Sequence, residues 1–327
     1  MRAVITRGHG GPEVLELGTH PDPEPADDEL LVRVRATALN RADLLQREGR
    51  YPPPPGASPI LGLELAGVVE RVGSRCPGFR QGDRVCALLP GGGYAEYAAV
   101  PHDLVMRVPD NLSFEEAAAI PEVFLTAYLN LVWLGRLAAA EHALIHAGAS
   151  GVGTAAIQLV REWGARPLAT AGSDDKVDLC RQLGAEAAFN YRAGPWDAAV
   201  IEATGGRGVD VILDPVGAPY WDQNLRALAP DGRLIFIAMM GGTRLPEARL
   251  GPILSKRLQV MGSTLRGRSR EFKARLIAEF AGFALPRLRD GRLRPVIDRI
   301  YDWTEVADAH AYMQSNRNKG KIVLRVT

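Results

Sequence analysis

The chain has 327 residues, of which 46% are hydrophobic, and its 39 basic and 38 acidic side chains give a formal net charge of +1. This length favours two domains, and the composition is that of a globular protein without the run of about 18 apolar residues that a membrane span requires. The balanced charge provides no global field for nucleic acid or an anionic membrane, so neither is an expected partner.

The N-terminal segment MRAVITRGHGGPEVLEL is charged and interrupted by glycines, and it lacks the apolar core of a signal peptide. We therefore predict a soluble protein of the cytoplasm. The three cysteines, Cys76, Cys86 and Cys180, lie far apart without a CxxC motif. This spacing favours neither a disulfide framework nor a cysteine-rich metal cage.

Five strand-like segments lie within residues 1–122. They are AVIT, ELLVRVRATAL, LAGVVERVG, DRVCALL and YAEYAAV. Proline-rich and glycine-rich turns such as PDPEPADDE and YPPPPGASP separate these segments. The pattern predicts a β-rich, barrel-like domain.

Six strand candidates alternate with helical patterns farther along the chain, which indicates repeated βαβ units and a parallel sheet. They are ALIHA (143–147), RPLATA (166–171), AAFNY (187–191), VDVILD (209–214), RLIFIA (233–238) and LQVMGS (258–263). Six strands suit a doubly wound dinucleotide-binding domain, for which we predict the bounds 123–264.

A glycine-rich turn in ALIHAGASGVGTAAIQL connects the first of these strands to a helix. Gly148 permits the tight turn, while Gly151 and Gly153 let the backbone approach phosphate and the helix approach the sheet. Ser150 occupies the middle glycine position of the GxGxxG pattern. Backbone N–H groups at the start of the helix, including that of Val152, are predicted to bind a pyrophosphate.

The end of the second strand in such a domain selects between NAD and NADP. The segment LATAGSDDK has no acid at the strand end, and Ser173 and Lys176 follow it, which favours NADPH. Asp174 and Asp175 count against NADPH if they lie near the phosphate. They could instead cap the following helix.

Residues 265–327 contain a helix near FKARLIAEFAGFALPRL, a strand at VIDRIYDW, a helix at VADAHAYMQS and a strand at KIVLRV. We predict that these elements return to the first domain. A basic cluster begins before these elements and runs into the first helix, with a single acid among its members. The cluster consists of Lys256, Arg257, Arg266, Arg268, Arg270, Lys273 and Arg275. The cluster is interpreted either as a solvated loop and helix face or as a site for phosphates or RNA.

The whole chain resembles the medium-chain dehydrogenase/reductase superfamily, and within it the zinc-free quinone oxidoreductases of the zeta-crystallin type. The segments that carry the resemblance are ALNRADLLQREGRYPPPPGAS (38–58), ALLPGGG (87–93), AAAIPE (117–122), HAGASGVGTAAIQL (146–159) and NKGKIVL (318–324). They are most similar to the tumour-suppressor-inducible NADPH quinone oxidoreductase subgroup.

The resemblance implies an α/β fold built from two domains. A GroES-like, β-rich catalytic domain would comprise residues 1–122 and 265–327, and a Rossmann domain with a doubly wound parallel sheet would bind NADP through residues 123–264. The active site would lie in the cleft between them, where ligands commonly bind. The resemblance also implies a homodimer that forms by pairing of exposed sheet edges.

Zinc-dependent relatives carry a catalytic cysteine, a histidine and a four-cysteine lobe, and this chain lacks all three. Asn40 stands about where the cysteine would be, and Leu63 stands where the histidine would be. We therefore expect no metal site, because zinc requires nitrogen, sulphur or carboxylate donors.

The catalytic residues that the resemblance implies are Asn40, Tyr51 and Ser150. Asn40 would lie beside the nicotinamide and donate to a developing oxyanion, although it could instead bond local backbone. Tyr51 would stack on a flat quinone with Ser150 as its neighbour, although it could instead pack on the prolines that follow it.

Two carboxyl groups and one imidazole are further candidates. Asp43 and Glu64 could form an acid pair, or each could hold backbone or Arg41 in place. A reduced quinone can also take its proton from water, so no dedicated acid is demanded. His146, just before the glycine-rich turn, is interpreted as a packing residue at the strand end.

Further cofactor contacts are implied at positions that match the family. They are Lys176 and Tyr191 near the 2′-phosphate, Thr126 near the nicotinamide, Asn316 closing over the cofactor, and Met240 and Gly241 in the segment Met239–Gly242 that passes beneath the nicotinamide. Small residues in this last segment would permit close approach.

The predicted function is NADPH-dependent hydride transfer to an ortho- or para-quinone without a metal, so the protein is expected to be an enzyme that acts on a small molecule. One alternative is NADPH-dependent reduction of an enone or alkenal double bond, which uses the same cofactor geometry. A second alternative is a non-catalytic nucleotide-binding protein, either crystallin-like or RNA-binding, for which the basic cluster is the only support.

Overall fold

Two units make up the chain in the computed structural model, which describes all 327 residues. The discontinuous unit comprises Met1–Leu125 and Leu265–Thr327, and the inserted unit comprises Thr126–Thr264. None of the helices combines the length and the hydropathy that a membrane span requires.

The first part of the chain forms seven strands and three helices. They are β1 (Arg2–Thr6), β2 (Leu15–Thr19), β3 (Glu29–Ala38), α1 (Arg41–Arg47), β4 (Glu64–Val72), β5 (Arg84–Leu88), β6 (Tyr97–Pro101), β7 (Val105–Arg107), α2 (Phe114–Ala118) and α3 (Pro121–Tyr128). A segment of π-helix, Leu129–Leu134, follows α3.

The inserted unit contributes six strands and five helices. They are β8 (His142–Ile145), α4 (Gly151–Glu162), β9 (Arg166–Ala171), α5 (Asp174–Gln182), β10 (Ala187–Asn190), α6 (Trp196–Ala203), β11 (Val209–Asp214), α7 (Trp221–Ala227), β12 (Leu228–Phe236), α8 (Gly251–Ser255) and β13 (Gln259–Gly262). The discontinuous unit then resumes with α9 (Arg270–Arg289), β14 (Ile297–Asp302), α10 (Val306–Gln314) and β15 (Lys321–Arg325).

The discontinuous unit is built around β3, the central strand of a seven-stranded sheet in the order β14-β15-β3-β4-β5-β7, with β6 also paired to β3. Along β3, Leu30, Val32 and Val34 are buried, whereas Arg33 and Arg35 are exposed. Because successive side chains of a strand point to opposite faces, this alternation gives the sheet one apolar face for the core. Strand β15 pairs antiparallel with β3, which closes the C-terminal segment onto the N-terminal sheet.

The inserted unit is a six-stranded parallel sheet in the order β10-β9-β8-β11-β12-β13. Every residue of β8 and β11 is buried, as expected for strands covered by helices on both faces. The strand order reverses between β8 and β11, which is the doubly wound Rossmann arrangement. The prediction of a Rossmann domain is therefore confirmed.

All six strands predicted for the sheet of the inserted unit are present, but several bounds differ. The first strand ends at Ile145 and not at residue 147, because Ala147 adopts a φ of +53° in the turn that follows. Strand β12 begins at Leu228, five residues before the predicted segment. The short strands β2 and β7 and the helices α1, α2 and α3 were not predicted.

Candidate active site

The glycine-rich turn of the inserted unit lies between β8 and α4. A Cβ atom on Gly153 would lie 2.3 Å from the carbonyl oxygen of Ala147, so glycine allows the helix to start this close to the turn. A Cβ atom on Gly148 would lie 2.7 Å from Sγ of Cys180 and 2.8 Å from Cβ of Ala169. Both glycines are therefore required by the packing of the turn against its own sheet and helices.

Ser150 is the N-cap of α4, and its Oγ accepts a hydrogen bond from the N–H of Gly153 at 3.0 Å. Its backbone is extended, with φ −75° and ψ 169°, so this position of the motif does not need glycine. The first N–H groups of the helix, on Gly151 and Val152, have no partner within the helix. Together with the helix dipole they form a site suited to an anion such as a pyrophosphate.

The carboxyl end of β9 carries two acids, and each is already engaged by a neighbour. Asp174 accepts a hydrogen bond from Nδ2 of Asn190 at 2.8 Å. Asp175 accepts a hydrogen bond from the hydroxyl of Ser173. These contacts hold the two carboxylates in the first turn of α5, where they suit the helix dipole, but neither acid caps the helix, because the N-cap is Ser173 and it makes no side-chain cap bond.

Cationic and phenolic groups lie at the same strand end. The hydroxyl of Tyr191 lies against Gly172, where a Cβ atom would be only 2.5 Å from it. The guanidinium of Arg192 lies 6.0 Å from the centroid of the Tyr191 ring. Lys176 is in the first turn of α5. Two cations and a hydroxyl donor suit a doubly negative phosphate group.

His146 is buried in the inserted unit as part of a hydrogen-bonded chain. Its Nδ1 lies 2.8 Å from Oγ1 of Thr170, and its Nε2 lies 2.8 Å from Oδ1 of Asn224. Asn224 donates through Nδ2 to Asp214 at 2.7 Å, and Asp214 accepts the N–H of Gly217 at 3.1 Å. Burial lowers the pKa of His146, so the ring stays neutral and serves to hold this turn.

The other predicted cofactor residues of the inserted unit lie in two places. Met240 and Gly241 follow β12, and the N–H of Gly241 donates to the carbonyl oxygen of Val216 at 2.8 Å. Thr126 lies on α3 and remains partly exposed, while its carbonyl oxygen accepts from Nδ2 of Asn130 at 2.7 Å.

Asn316 belongs to the discontinuous unit and follows α10 with a φ of +57°, a conformation that asparagine tolerates better than most residues. Its side-chain oxygen accepts a hydrogen bond from the guanidinium of Arg41. Arg41 is therefore held by Asn316, and not by Asp43 or Glu64 as one interpretation of the sequence suggested.

Glu64 is the centre of a buried polar network in the discontinuous unit. Its Oε1 accepts hydrogen bonds from Nζ of Lys321 at 2.7 Å and from Nδ2 of Asn40 at 2.9 Å, and its Oε2 accepts from the N–H of Glu122 at 2.8 Å. Lys321 also donates to the carbonyl oxygen of Leu39 and to Oδ1 of Asn40, both at 2.8 Å. Charge and hydrogen bonds are thus satisfied within the network.

Asn40 has little hydrogen-bonding capacity left for a ligand. Besides the bond to Glu64, its Nδ2 lies 3.3 Å from the carbonyl oxygen of Ala38, and its Oδ1 is taken by Lys321. The amide has two N–H donors, and both have acceptors within the protein. In this arrangement Asn40 orients the Lys321–Glu64 pair and presents no unused N–H to an acceptor oxygen.

Asp43 forms a second buried network beside the first. Its oxygens accept from the N–H of Asn40 at 2.7 Å, the N–H of Gly62 at 3.1 Å and the hydroxyl of Tyr94 at 3.2 Å. The Tyr94 hydroxyl lies 3.3 Å from Nε2 of His310. Burial raises the pKa of Asp43 to about 6 despite these donors. Asp43 has no exposed surface, which suits a role in holding backbone.

Tyr51 is half-buried, and its ring lies over Arg266, with the guanidinium carbon 5.2 Å from the ring centroid. Arg266 donates to the carbonyl oxygen of Pro90 at 2.7 Å and to Oε1 of Gln46 at 2.6 Å. Its Nη1 is buried without a hydrogen-bond partner. Burial raises the pKa of Tyr51, so the phenol keeps its proton near neutral pH.

The basic cluster from Lys256 to Arg275 is largely occupied by contacts within each unit. Two lysines donate to carbonyl oxygens: Lys256 to those of Leu225, Arg226 and Leu228, and Lys273 to that of Arg266. Two arginines form ion pairs: Arg257 with Asp231, and Arg270 with Asp28 and Asp103. Arg266 and Lys273 are only 6% and 8% exposed, so the expectation of a solvated face is wrong for these two residues.

The residues at the zinc position of related enzymes do not fit a zinc ion. Oxygen atoms of Glu64 and Asn40 are bonded to the Lys321 ammonium, which already supplies a positive charge there. Leu63 offers no donor to a metal ion. No cluster of three or more histidine, cysteine or acidic residues suited to a metal occurs in the chain.

Four residues of these sites were not singled out as site residues from the sequence. Arg266 belongs only to the basic cluster, Lys321 only to NKGKIVL and KIVLRV, and Glu122 only to AAAIPE, while Arg192 lies outside every segment named above. The available signal for Glu122 and Lys321 was that AAAIPE and NKGKIVL are two of the segments that carry the family resemblance. Their pairing through Glu64 depends on tertiary structure.

Two family models match the sequence. One, described as an alcohol dehydrogenase GroES-like domain, matches residues 26–110, and the other, described as a zinc-binding dehydrogenase, matches residues 151–282. The first match confirms the predicted GroES-like domain.

Proteins of known name and structure are similar over the full length. The quinone oxidoreductase of the pig, Sus scrofa, is 33% identical over 99% of this chain and 97% of its own length. The structure of an Escherichia coli quinone oxidoreductase complexed with NADPH is 29% identical with a TM-score of 0.89, and each chain is covered completely. The structure of an NAD-dependent alcohol dehydrogenase is 34% identical with a TM-score of 0.88, again with complete coverage of both chains.

Proposed function

The chain belongs to the quinone oxidoreductase family of the medium-chain dehydrogenase/reductase superfamily, and we propose that it transfers a hydride from NADPH to a quinone without a metal ion. The observation that carries the proposal is the combination of a glycine-rich anion site at α4 with a cationic strand end at β9. Strand β9 ends at Ala171 without the acid that would bind the ribose 2′-hydroxyl of NAD, and the two acids that follow, Asp174 and Asp175, are bonded by Asn190 and Ser173.

NADPH fits the residues of the inserted unit. The N–H groups of Gly151 and Val152 would bind the pyrophosphate, with Gly148, Ser150 and Gly153 shaping the turn. The 2′-phosphate would be held by Ser173, Lys176 and Tyr191, with Arg192 as an additional cation. Thr126, Met240 and Gly241 would lie near the nicotinamide, and Asn316 over the cofactor. When bound, NADPH supplies the hydride, so the chain has only to orient the acceptor and manage its proton.

Replacing Lys176 by alanine should weaken NADPH binding about 10- to 100-fold and leave NADH binding within about twofold of the wild type. The reason is that a hydrogen bond to a charged group contributes about 1.5–3 kcal/mol, and NADH lacks the 2′-phosphate. Fluorescence titration with each cofactor measures both constants. Arg181→Ala, on the same helix and paired only with residues of its own unit, is the matched control. Equal losses for both cofactors would refute the assignment.

Tyr51 and Arg266 provide the support for a quinone acceptor. A phenol ring lying over a guanidinium presents a flat, half-buried surface with a hydroxyl donor at its edge. A quinone is planar and carries two carbonyl acceptors, so it can stack on such a surface while accepting a hydrogen bond. We propose Tyr51 and Ser150 as residues that contact the acceptor and Asn40 as the residue that orients the Lys321–Glu64 pair.

The decisive assay follows NADPH absorbance with the purified, metal-analysed protein. We expect oxidation with 1,2-naphthoquinone or 1,4-benzoquinone that is unchanged after dialysis against EDTA. Loss of activity on chelation would contradict the metal-free reaction. A kcat/KM for an α,β-unsaturated ketone more than tenfold above that for either quinone would replace quinone reduction by double-bond reduction.

A further inference from the structure

Glu122 stands out among the polar residues of the discontinuous unit by its position on α3. Six of the eight residues of this helix are buried, and the other two, Glu122 and Thr126, are partly exposed. Residues four apart in a helix lie on the same face. The carboxyl group of Glu122 therefore shares one exposed strip of helix with Thr126, the residue proposed to lie near the nicotinamide.

The backbone of Glu122 is fixed by the Glu64 network. Its N–H donates to Oε2 of Glu64, whose other oxygen binds Asn40 and Lys321. This arrangement anchors the first turn of α3 to a fully buried carboxylate. The side chain of Glu122 therefore extends from a fixed backbone, and the residue as a whole remains partly exposed.

Six titratable or charged groups surround the Glu122 carboxyl group: Glu64, Asp43, Lys321, Arg266, Lys273 and Tyr51. Each of the three cations bonds other groups, although Nη1 of Arg266 is left without a hydrogen-bond partner. Lys321 bonds Glu64, Asn40 and Leu39, Arg266 bonds Pro90 and Gln46, and Lys273 bonds the carbonyl oxygen of Arg266. The charges of Lys321 and Arg266 favour the ionised form of Glu122, but none of the three cations forms a salt bridge with its carboxyl group, and burial outweighs them.

The three acids of this region therefore differ in what they can do. Asp43 is fully buried, and both of its oxygens accept hydrogen bonds from the protein. Glu64 is fully buried and paired with Lys321. Burial, followed by the nearby Glu64 charge, raises the pKa of Glu122 to about 8. Glu122 is thus the acid of this group that is both protonated at pH 7 and partly exposed.

We infer that Glu122 is the proton donor to the acceptor in the proposed NADPH-dependent reduction, and this inference rests on that proposed function. The quinone gains a hydride from NADPH, which becomes NADP⁺, and gains a proton from the Glu122 carboxyl group as its O–H bond breaks. The product is the hydroquinone, and the Glu122 carboxylate recovers a proton from water through its exposed side. Tyr51, within the same electrostatic environment, orients the acceptor oxygen.

The test is the pH dependence of kcat for the full-length enzyme with saturating NADPH and 1,2-naphthoquinone. A reaction that needs protonated Glu122 runs at its maximum below the pKa of about 8 and falls as the pH rises through it, about tenfold per unit well above it. Glu122→Gln should lower kcat at pH 7 about 100-fold, a typical effect of a general acid, and should lose the decline at high pH. Binding of NADPH should stay unchanged.

Two further variants keep this result interpretable. Glu70→Gln removes an exposed carboxyl group on β4 and should retain both the wild-type kcat and the high-pH decline. Glu122→Asp keeps a carboxyl group and should retain the decline even if kcat drops. A Glu122→Gln enzyme with wild-type kcat, or with the decline intact, overturns the inference. Absence of quinone turnover by the wild type would instead overturn the proposed function, so the two failures are distinct.

Discussion

Lys321→Met is expected to lower the free energy of unfolding by about 3–5 kcal/mol, because it leaves the Glu64 carboxylate buried without its cation. Glu64 has no exposed surface, and the Lys321 residue is 3% exposed, so water cannot replace the ammonium. Methionine has a similar length and keeps the volume filled. Urea unfolding followed by circular dichroism measures the shift in midpoint.

Arg325→Met is the matched control for this prediction, since it lies on the same strand and loses an ion pair with Glu115. That arginine side chain is 55% exposed, and such surface pairs contribute about 0–1 kcal/mol. The double variant Glu64→Gln with Lys321→Met removes both charges and should recover part of the stability. An unfolding midpoint of Lys321→Met equal to that of Arg325→Met would contradict a buried ion pair.

Gly153→Val is expected to weaken NADPH binding at least about 100-fold, equivalent to about 2.7 kcal/mol. Its Cβ atom would lie 2.3 Å from the carbonyl oxygen of Ala147 and 2.6 Å from that of Gly148, so the start of α4 must move. The movement displaces the N–H groups of Gly151 and Val152 that are proposed to bind the pyrophosphate. Calorimetric titration with NADPH gives the constant directly.

The control for the loop variant is Gly251→Val, at the start of α8 in the same unit. A Cβ atom there meets no heavy atom within 4 Å, and the residue is exposed. This variant should bind NADPH as the wild type does. Comparable weakening in both variants would mean that valine acts through general destabilisation and not through the turn.

The inserted unit could be predicted from sequence because its signals are local. Apolar runs, helical spacing and a glycine-rich turn follow one another within a few residues, and each constrains the next. The engagement of Asp174 by Asn190 was beyond such reasoning, because the two residues belong to adjacent strand ends and not to one motif. The sequence alone therefore did not decide whether Asp174 and Asp175 lie near the 2′-phosphate or cap the following helix.

The discontinuous unit was predicted less completely for a physical reason. Strand β7 has only three residues, and β2, LELGT, shows no alternation of burial along its length. In the Glu64 network, Glu64 and Lys321 are 257 positions apart in the sequence. A lysine at the start of an apolar strand gives no sign in the sequence that its side chain is buried. The family resemblance identified Asn40 but could not show that its amide is already occupied.

The distance along the chain between Asn40 and Lys321 also sets an order of events during synthesis. After Asn40 leaves the peptidyl-transferase centre, the ribosome must translate 281 further residues before the ammonium that neutralises Glu64 exists. The inserted unit, being contiguous, can complete its sheet earlier, whereas nascent β3 must wait for its partner β15. A chain released by premature termination before β15 would therefore carry an exposed strand edge and an unpaired carboxylate, two features by which chaperones and proteases can discriminate incomplete translation products from finished enzyme.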